Sequence, residues 1–286
     1  INAQLSQDSI VRAGLSNDAT ERGSLKRAFA RPWQRAANNA AETTAILQDP
    51  AALRASNRPQ LRRYEVASLL PNGNVAQTRH IAPALPLFEE AFCAFSRGSL
   101  VETENGPIAI EDLLPGDRLI NQNGSLQTLM WKGSTSLLPG RMDTRGRSHK
   151  LTSFMADSFG MQKPMSCVMA GPAARLLRTP AHLRAIAGDA PLLTPVQEFH
   201  DGMNIVETAP PTPVEMFHLC LEQHPVINIG GLAFETYHPG TKALQLTSHA
   251  MRTLYLNMFS HIDQPSDFGP LAHARAGDGQ IDAVPN

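Results

Sequence analysis

The sequence predicts a mainly β domain in the middle of the chain, with a weakly ordered arm before it and an amphipathic helix after it. Three observations point there. Between about Arg63 and Gly240, short apolar runs alternate with turn residues at close spacing. After Gly240 the apolar period changes to three and four residues. Before residue 60 there is too little apolar surface to offset the entropy of ordering a chain.

The arm, residues 1–62, is rich in Ala, Asn, Gln, Ser and Arg, with short helices expected at Glu21–Ala30 and Ala40–Gln48. Up to Arg63 the chain carries ten Lys+Arg against five Asp+Glu, whereas the whole 286-residue chain has a formal net charge of -1. An acidic partner for the arm fits that local excess. The near-neutral total gives no electrostatic argument for nucleic acid. No run approaches the roughly 18–20 apolar residues of a membrane span. Ile1–Ser24 lacks the apolar run of a Sec signal, so a cytoplasmic site or a non-Sec route is expected. Three irregularly spaced cysteines, Cys93, Cys167 and Cys220, suit a reducing compartment better than a disulfide framework.

Residues 63–92 read as a β-hairpin and linker. Tyr64–Leu70 and Val75–Ile81 are strands around the turn Pro71-Asn72-Gly73-Asn74, and Pro83 and Pro86 stiffen the link. Leu87–Phe95 suits a helical turn or a strand. Residues 93–240 form the β domain. Its strands are Ser99–Thr103, Ile108–Ile110, Arg118–Ile120 and Leu126–Trp131, with a turn expected at Lys132-Gly133. Pro139–Lys150 reads as an exposed loop. Met203–Glu207, Glu215–Glu222, Val226–Ile229 and Leu232–Tyr237 are further strands, the last two joined through Gly230-Gly231. Strands at this spacing fit a sandwich or barrel-like domain and not a βαβ enzyme. In residues 241–286, Ser248–Ser260 carries the helical stripe, capped by Thr247 or Ser248, and the tail from His273 reads as frayed.

Several blocks, taken in order, resemble the Hint fold shared by inteins and hedgehog autoprocessing segments. Ala94-Phe95-Ser96-Arg97-Gly98-Ser99-Leu100-Val101 is similar to the family's opening Cys-Phe-x-x-Gly-Thr and apolar strand. Gly106–Asp117 resembles the block that ends in Gly-Asp, and Asn123-Gly124 with Trp131-Lys132-Gly133 resembles the strand and tryptophan after that block. Thr179-Pro180-Ala181-His182 matches the family's Thr-x-x-His. Phe217-His218-Leu219, His224 and Tyr237-His238-Pro239-Gly240 resemble the end of bacterial Hint-type domains common in alphaproteobacteria.

The resemblance implies self-cleavage, in which a Cys or Ser attacks the carbonyl just before it. It also implies that His182 protonates the leaving amide and that Thr179 orients the carbonyl or the imidazole. The nucleophile position falls on Ala94, which has none, and Cys93 lies one residue early. Either Cys93 opens the domain with one extra residue before Gly98, or the acyl shift is lost. In an extended segment a one-residue slip turns the side chain to the opposite face. No His-Asn pair exists, so splicing is not expected. His218, alternating with Met216 and Cys220, reads as a strand histidine. His238-Pro239-Gly240 and Asp201-Gly202 read as turns, and Cys167 and Cys220 as packing residues. The spacing of His218, His224 and His238 fits no zinc pattern, and no cofactor is called for.

Overall fold

The computed structural model describes residues 60–138, 150–188, 190–240, 247–277 and 280–282. Residues 1–59 of the arm, its two expected helices and the Pro139–Lys150 loop, apart from Lys150, lie outside the described residues, whereas Leu61 and Arg62 open the first strand. Seventeen strands occur among the described residues, and the longest shows why they form. In Leu126–Leu137, Leu129, Trp131, Gly133, Thr135 and Leu137 are all buried, which is the period of two of a pleated strand.

The first strands are β1 (Leu61–Leu69), β2 (Val75–Pro83), β3 (Phe95–Ser96), β4 (Leu100–Thr103), β5 (Gly106–Ala109) and β6 (Arg118–Ile120). They are followed by β7 (Leu126–Leu137), β8 (Leu151–Phe154), β9 (Val168–Ala170), β10 (Arg175–Leu177) and β11 (Leu193–Pro195). The remainder are β12 (Ile205–Thr208), β13 (Val214–Leu221), β14 (Val226–Ile229), β15 (Leu232–Glu235), β16 (Arg275–Gly277) and β17 (Gln280–Asp282). Among the described residues, three α-helices, α1 (Pro86–Glu89), α2 (Arg184–Ala187) and α3 (His249–Leu256), interrupt them. None of the described helices is long and apolar enough to cross a membrane.

One run of paired neighbours is β2–β1–β7–β13–β3–β9–β8–β12. The other is β5–β4–β14–β15–β10–β11–β16–β17. β6 pairs with both β4 and β7 and so links the two. All these pairings are antiparallel except β11 with β16, where Leu193 stands opposite Arg275.

Lys132-Gly133 does not turn the chain. β7 continues through it, and the glycine is there for space. A methyl at Gly133 would overlap the Trp131 and Phe92 rings, so the bare backbone lets two aromatics pack against the strand. Lys132 pins the neighbouring block, because its Nζ donates to the carbonyls of Ile110, Glu111 and Leu113. In α3, Ser248 is the cap, its Oγ accepting from Met251 N at 3.4 Å, and the helix stops at Leu256, short of the expected Ser260.

Two clusters of buried residues sit between these elements. The first is built from Ala94, Phe95, Phe154, Phe217, Phe234 and their apolar neighbours, all between residues 94 and 234. The second joins three parts of the chain. Tyr64, Phe88 and Phe92 come from before the β domain, Trp131, Met216 and Tyr237 from within it, and Tyr255, Phe259 and Phe268 from after it.

Candidate functional site

The junction at Cys93 and Ala94 is defined by where its two side chains go. Cys93 belongs to the second cluster and Ala94 to the first, and both are fully buried. The Cys93 thiol stands beside a buried ion pair. Arg62 Nη1 lies 3.9 Å from its sulfur and 2.9 Å from Glu89 Oε1. Burial pushes this thiol up to about 12, and the nearby Arg62 only partly counters that. The peptide between the two residues is held on both sides. The Cys93 carbonyl accepts from Ala173 N at 3.1 Å, and Ala94 N–H donates to the Phe217 carbonyl at 3.1 Å. The Ala94 carbonyl accepts from Gly171 N at 2.7 Å. This contact is close enough that a methyl on Gly171 would overlap the Cys93 carbonyl and the Met216 Cε.

Thr179 and His182 lie in a different environment. Thr179 Oγ1 donates to the Ala190 carbonyl at 2.9 Å and accepts from Leu192 N at 3.1 Å, closing the loop that contains α2. His182 lies in a 3-10 turn (Ala181–Leu183), where its Nε2 meets Glu198 Oε2 at 3.2 Å. Its side chain is 55% exposed, whereas Ala94 is fully buried.

A third group of side chains was not legible as a unit. Glu235, at the end of β15, is buried and receives Arg275 Nε at 2.8 Å and His224 Nε2 at 3.0 Å, with Arg175 Nε 3.8 Å away. Burial alone would raise its carboxyl, but Arg275, His224 and Arg175 more than reverse this and hold it down at about 2. Backbone groups fix the orientation of the histidines here. His224 Nδ1 accepts from Ala272 N at 3.1 Å, so its Nε2 carries the proton. His238 Nδ1 accepts from Gly240 N at 2.9 Å while its Nε2–H donates to the Gly269 carbonyl at 2.9 Å. His218, fully enclosed, donates from Nδ1 to the Glu90 carbonyl at 3.0 Å and packs edge-on against Phe95 and Tyr237. Desolvation lowers His218 and His238 to about 4. His218, Glu235, His238, Arg175 and Arg275 line a cavity of about 50 Å³, room for a few waters at most.

Several expectations change here. His238 is part of this network and not a bare turn. The tail from His273 is not frayed throughout, because Arg275 in β16 is tied to Glu235 and to the His238 carbonyl at 2.8 Å. Cys167 is exposed, contrary to a packing role, whereas Cys220 is buried. Asp201 does make its turn, with one carboxylate oxygen accepting from the amides of Met203, Asn204 and Ile205. One local signal for the missed network was available: Glu235 is a lone acid ending an apolar strand. Among the described residues, no three of His, Cys, Asp and Glu are arranged to hold a metal ion.

The paired strands form a mainly β domain whose Cys93–Ala94 peptide is held at both ends. The profile of the Hint domain matches residues 93–241, more than half of the chain, and the chain belongs to the Hint-domain family. Among solved structures, a bacterial intein-like domain from Clostridium thermocellum is similar at 11% identity and TM-score 0.36, covering 51% of this chain and 99% of that one. The MchDnaB-1 intein is similar at 12% identity and TM-score 0.33, covering 50% and 100%. Likenesses this remote carry no functional argument. None of the curated proteins matches the chain.

Proposed function

We propose that this chain is a Hint module that keeps the fold of a self-processing domain and has lost the cleavage step. An N-to-S acyl shift needs a sulfur that attacks the preceding carbonyl carbon. The C–S bond forms, the C–N bond breaks and the thiol proton passes to the leaving nitrogen; water or a small thiol then takes the acyl group. Ala94 has no atom to begin this. The observation that carries the reading is the division of neighbours: the Cys93 sulfur and the Ala94 methyl lie in different cores.

The alternative, cleavage before Cys93, requires that sulfur to ionise and to meet a proton donor. Its thiol is pushed up to about 12 by burial, and the guanidinium of Arg62 lies 3.9 Å from it. His182, the donor implied by resemblance, is engaged at the surface with Glu198. The module then acts by binding or capping and not by turnover.

The test is the intact mass of the full-length chain after incubation with a small thiol. We expect an unchanged mass in the wild type, Cys93→Ala and His182→Ala. A fragment beginning at Cys93, abolished by Cys93→Ala and slowed by His182→Ala, overturns the proposal.

A further inference from the structure

In a self-cleaving domain, the segment before the junction is the part that leaves. Here that segment is built into the sheet. Tyr64–Ser68 of β1 pair with Trp131–Thr135 of β7, and Thr135 Oγ1 donates to the Arg63 carbonyl at 2.8 Å. The Phe92 ring lies 4.6 Å from Tyr64 and 5.3 Å from Trp131, against the bare backbone of Gly133. Phe88 meets Tyr255 of α3 at 6.2 Å, and His218 of β13 holds the Glu90 carbonyl. Strand pairing, aromatic packing and a half-buried hydrogen bond thus reach the segment from β7, β13 and α3, three separate parts of the chain.

We infer that Gln60–Phe92 is a ligand of the rest of the chain, held without need of the peptide bond that joins them. The face of β7 beside Tyr237 and α3 is a binding surface for a β-hairpin carrying aromatic anchors, and its occupant is this chain's own hairpin. Main-chain pairing supplies the register, and Tyr64, Phe88 and Phe92 supply the buried anchors. The inference does not depend on whether the chain cleaves itself. A backbone cut at the junction, from any source, leaves both pieces together.

The experiment uses the full-length chain with a flexible protease site inserted after Glu90, which is exposed. After digestion, checked on a denaturing gel, the two pieces are expected to co-elute in native size-exclusion chromatography and to separate in denaturant. A second variant carries the site in the exposed Pro71–Asn74 turn, so the reading can be tested even if the first insertion unfolds the chain. There the piece carrying β1 is expected to stay bound. With Tyr64→Ala, whose ring lies on the piece carrying β1 in both cut proteins and 4.6 Å from Phe92 on the other, retention falls on the order of a hundredfold, and the pieces part on dilution. Separation of the cut pieces from a protein that was folded before digestion overturns the inference, as does retention indifferent to Tyr64→Ala. The added protease, and not self-cleavage, makes the cut, so this result stands apart from the intact-mass test.

Discussion

The two cores of this molecule are made in different ways. The first draws every residue from between Ala94 and Phe234, inside the stretch that matches the Hint domain. The second is shared: residues before Cys93 and after Gly240 meet across one face of β7 and β13. The flanking segments Tyr64–Phe92 and Tyr255–Phe268 are therefore packed parts of the structure. The junction runs along the boundary between the cores, so Cys93 faces one and Ala94 the other. A thiol displaced by one residue has not moved slightly within a site; it has moved into a different core.

The largest expected effect breaks the shared core. Trp131 stacks on Phe259 at 4.6 Å, and its Nε1–H donates to the Met258 carbonyl at 2.7 Å, tying β7 to the residues after α3. Trp131→Ala should cost about 4 kcal/mol in denaturant unfolding. Amide exchange should rise first in Leu61–Phe92 and His249–Phe268, while β14 and β15 stay protected. Equal loss of protection in both cores would dissolve the distinction.

How much of this was legible in the sequence divides along the same line. Strands and turns were readable, because alternation and turn residues are local. The face of His218, Met216 and Cys220 was readable for the same reason. Gly133 was misread, since glycine in a strand and glycine in a turn look alike until the rings it admits are known. The pairing of Glu235 with Arg275, 40 residues apart, was invisible. No short-range pattern encodes which distant cation answers a buried acid. The Thr179/His182 spacing matched a motif, yet their hydrogen bonds serve a loop and a surface acid.

The second effect is acid sensitivity around the buried histidines. His218 and His238 sit at about 4 when folded and near 6.5 when unfolded, so the unfolded chain binds more protons between those values. Stability is therefore full above about pH 6.5 and falls as pH drops to 4, by on the order of 3 kcal/mol for His218. Glu235 adds a further loss as pH falls from its unfolded value of 4.5 toward 2. His218→Gln, which keeps a donor for the Glu90 carbonyl, should flatten the slope between pH 6.5 and 4. An unchanged slope would mean that His218 is not enclosed as described.

A smaller effect probes the junction itself. Gly171→Ala drives a methyl into the Cys93 carbonyl and should cost about 2 kcal/mol. It should do so without exposing the Cys93 thiol to a labelling reagent, which would instead signal collapse of the second core. Smallest is Lys132→Met, which leaves the carbonyls of Ile110, Glu111 and Leu113 without their donor. We expect about 1 kcal/mol, read as a shift in the denaturant midpoint.

On the proposed function, the junction is inert because its neighbouring side chains belong to separate cores and its peptide is held at both ends. The sharpest test compares wild type with Ala94→Cys by intact mass during incubation with a small thiol. Both chains are expected to keep their full mass, because a sulfur at position 94 still meets a carbonyl bound by Ala173 and a His182 engaged elsewhere. A fragment beginning at Cys93 in the wild type, or at position 94 in the variant, would contradict it.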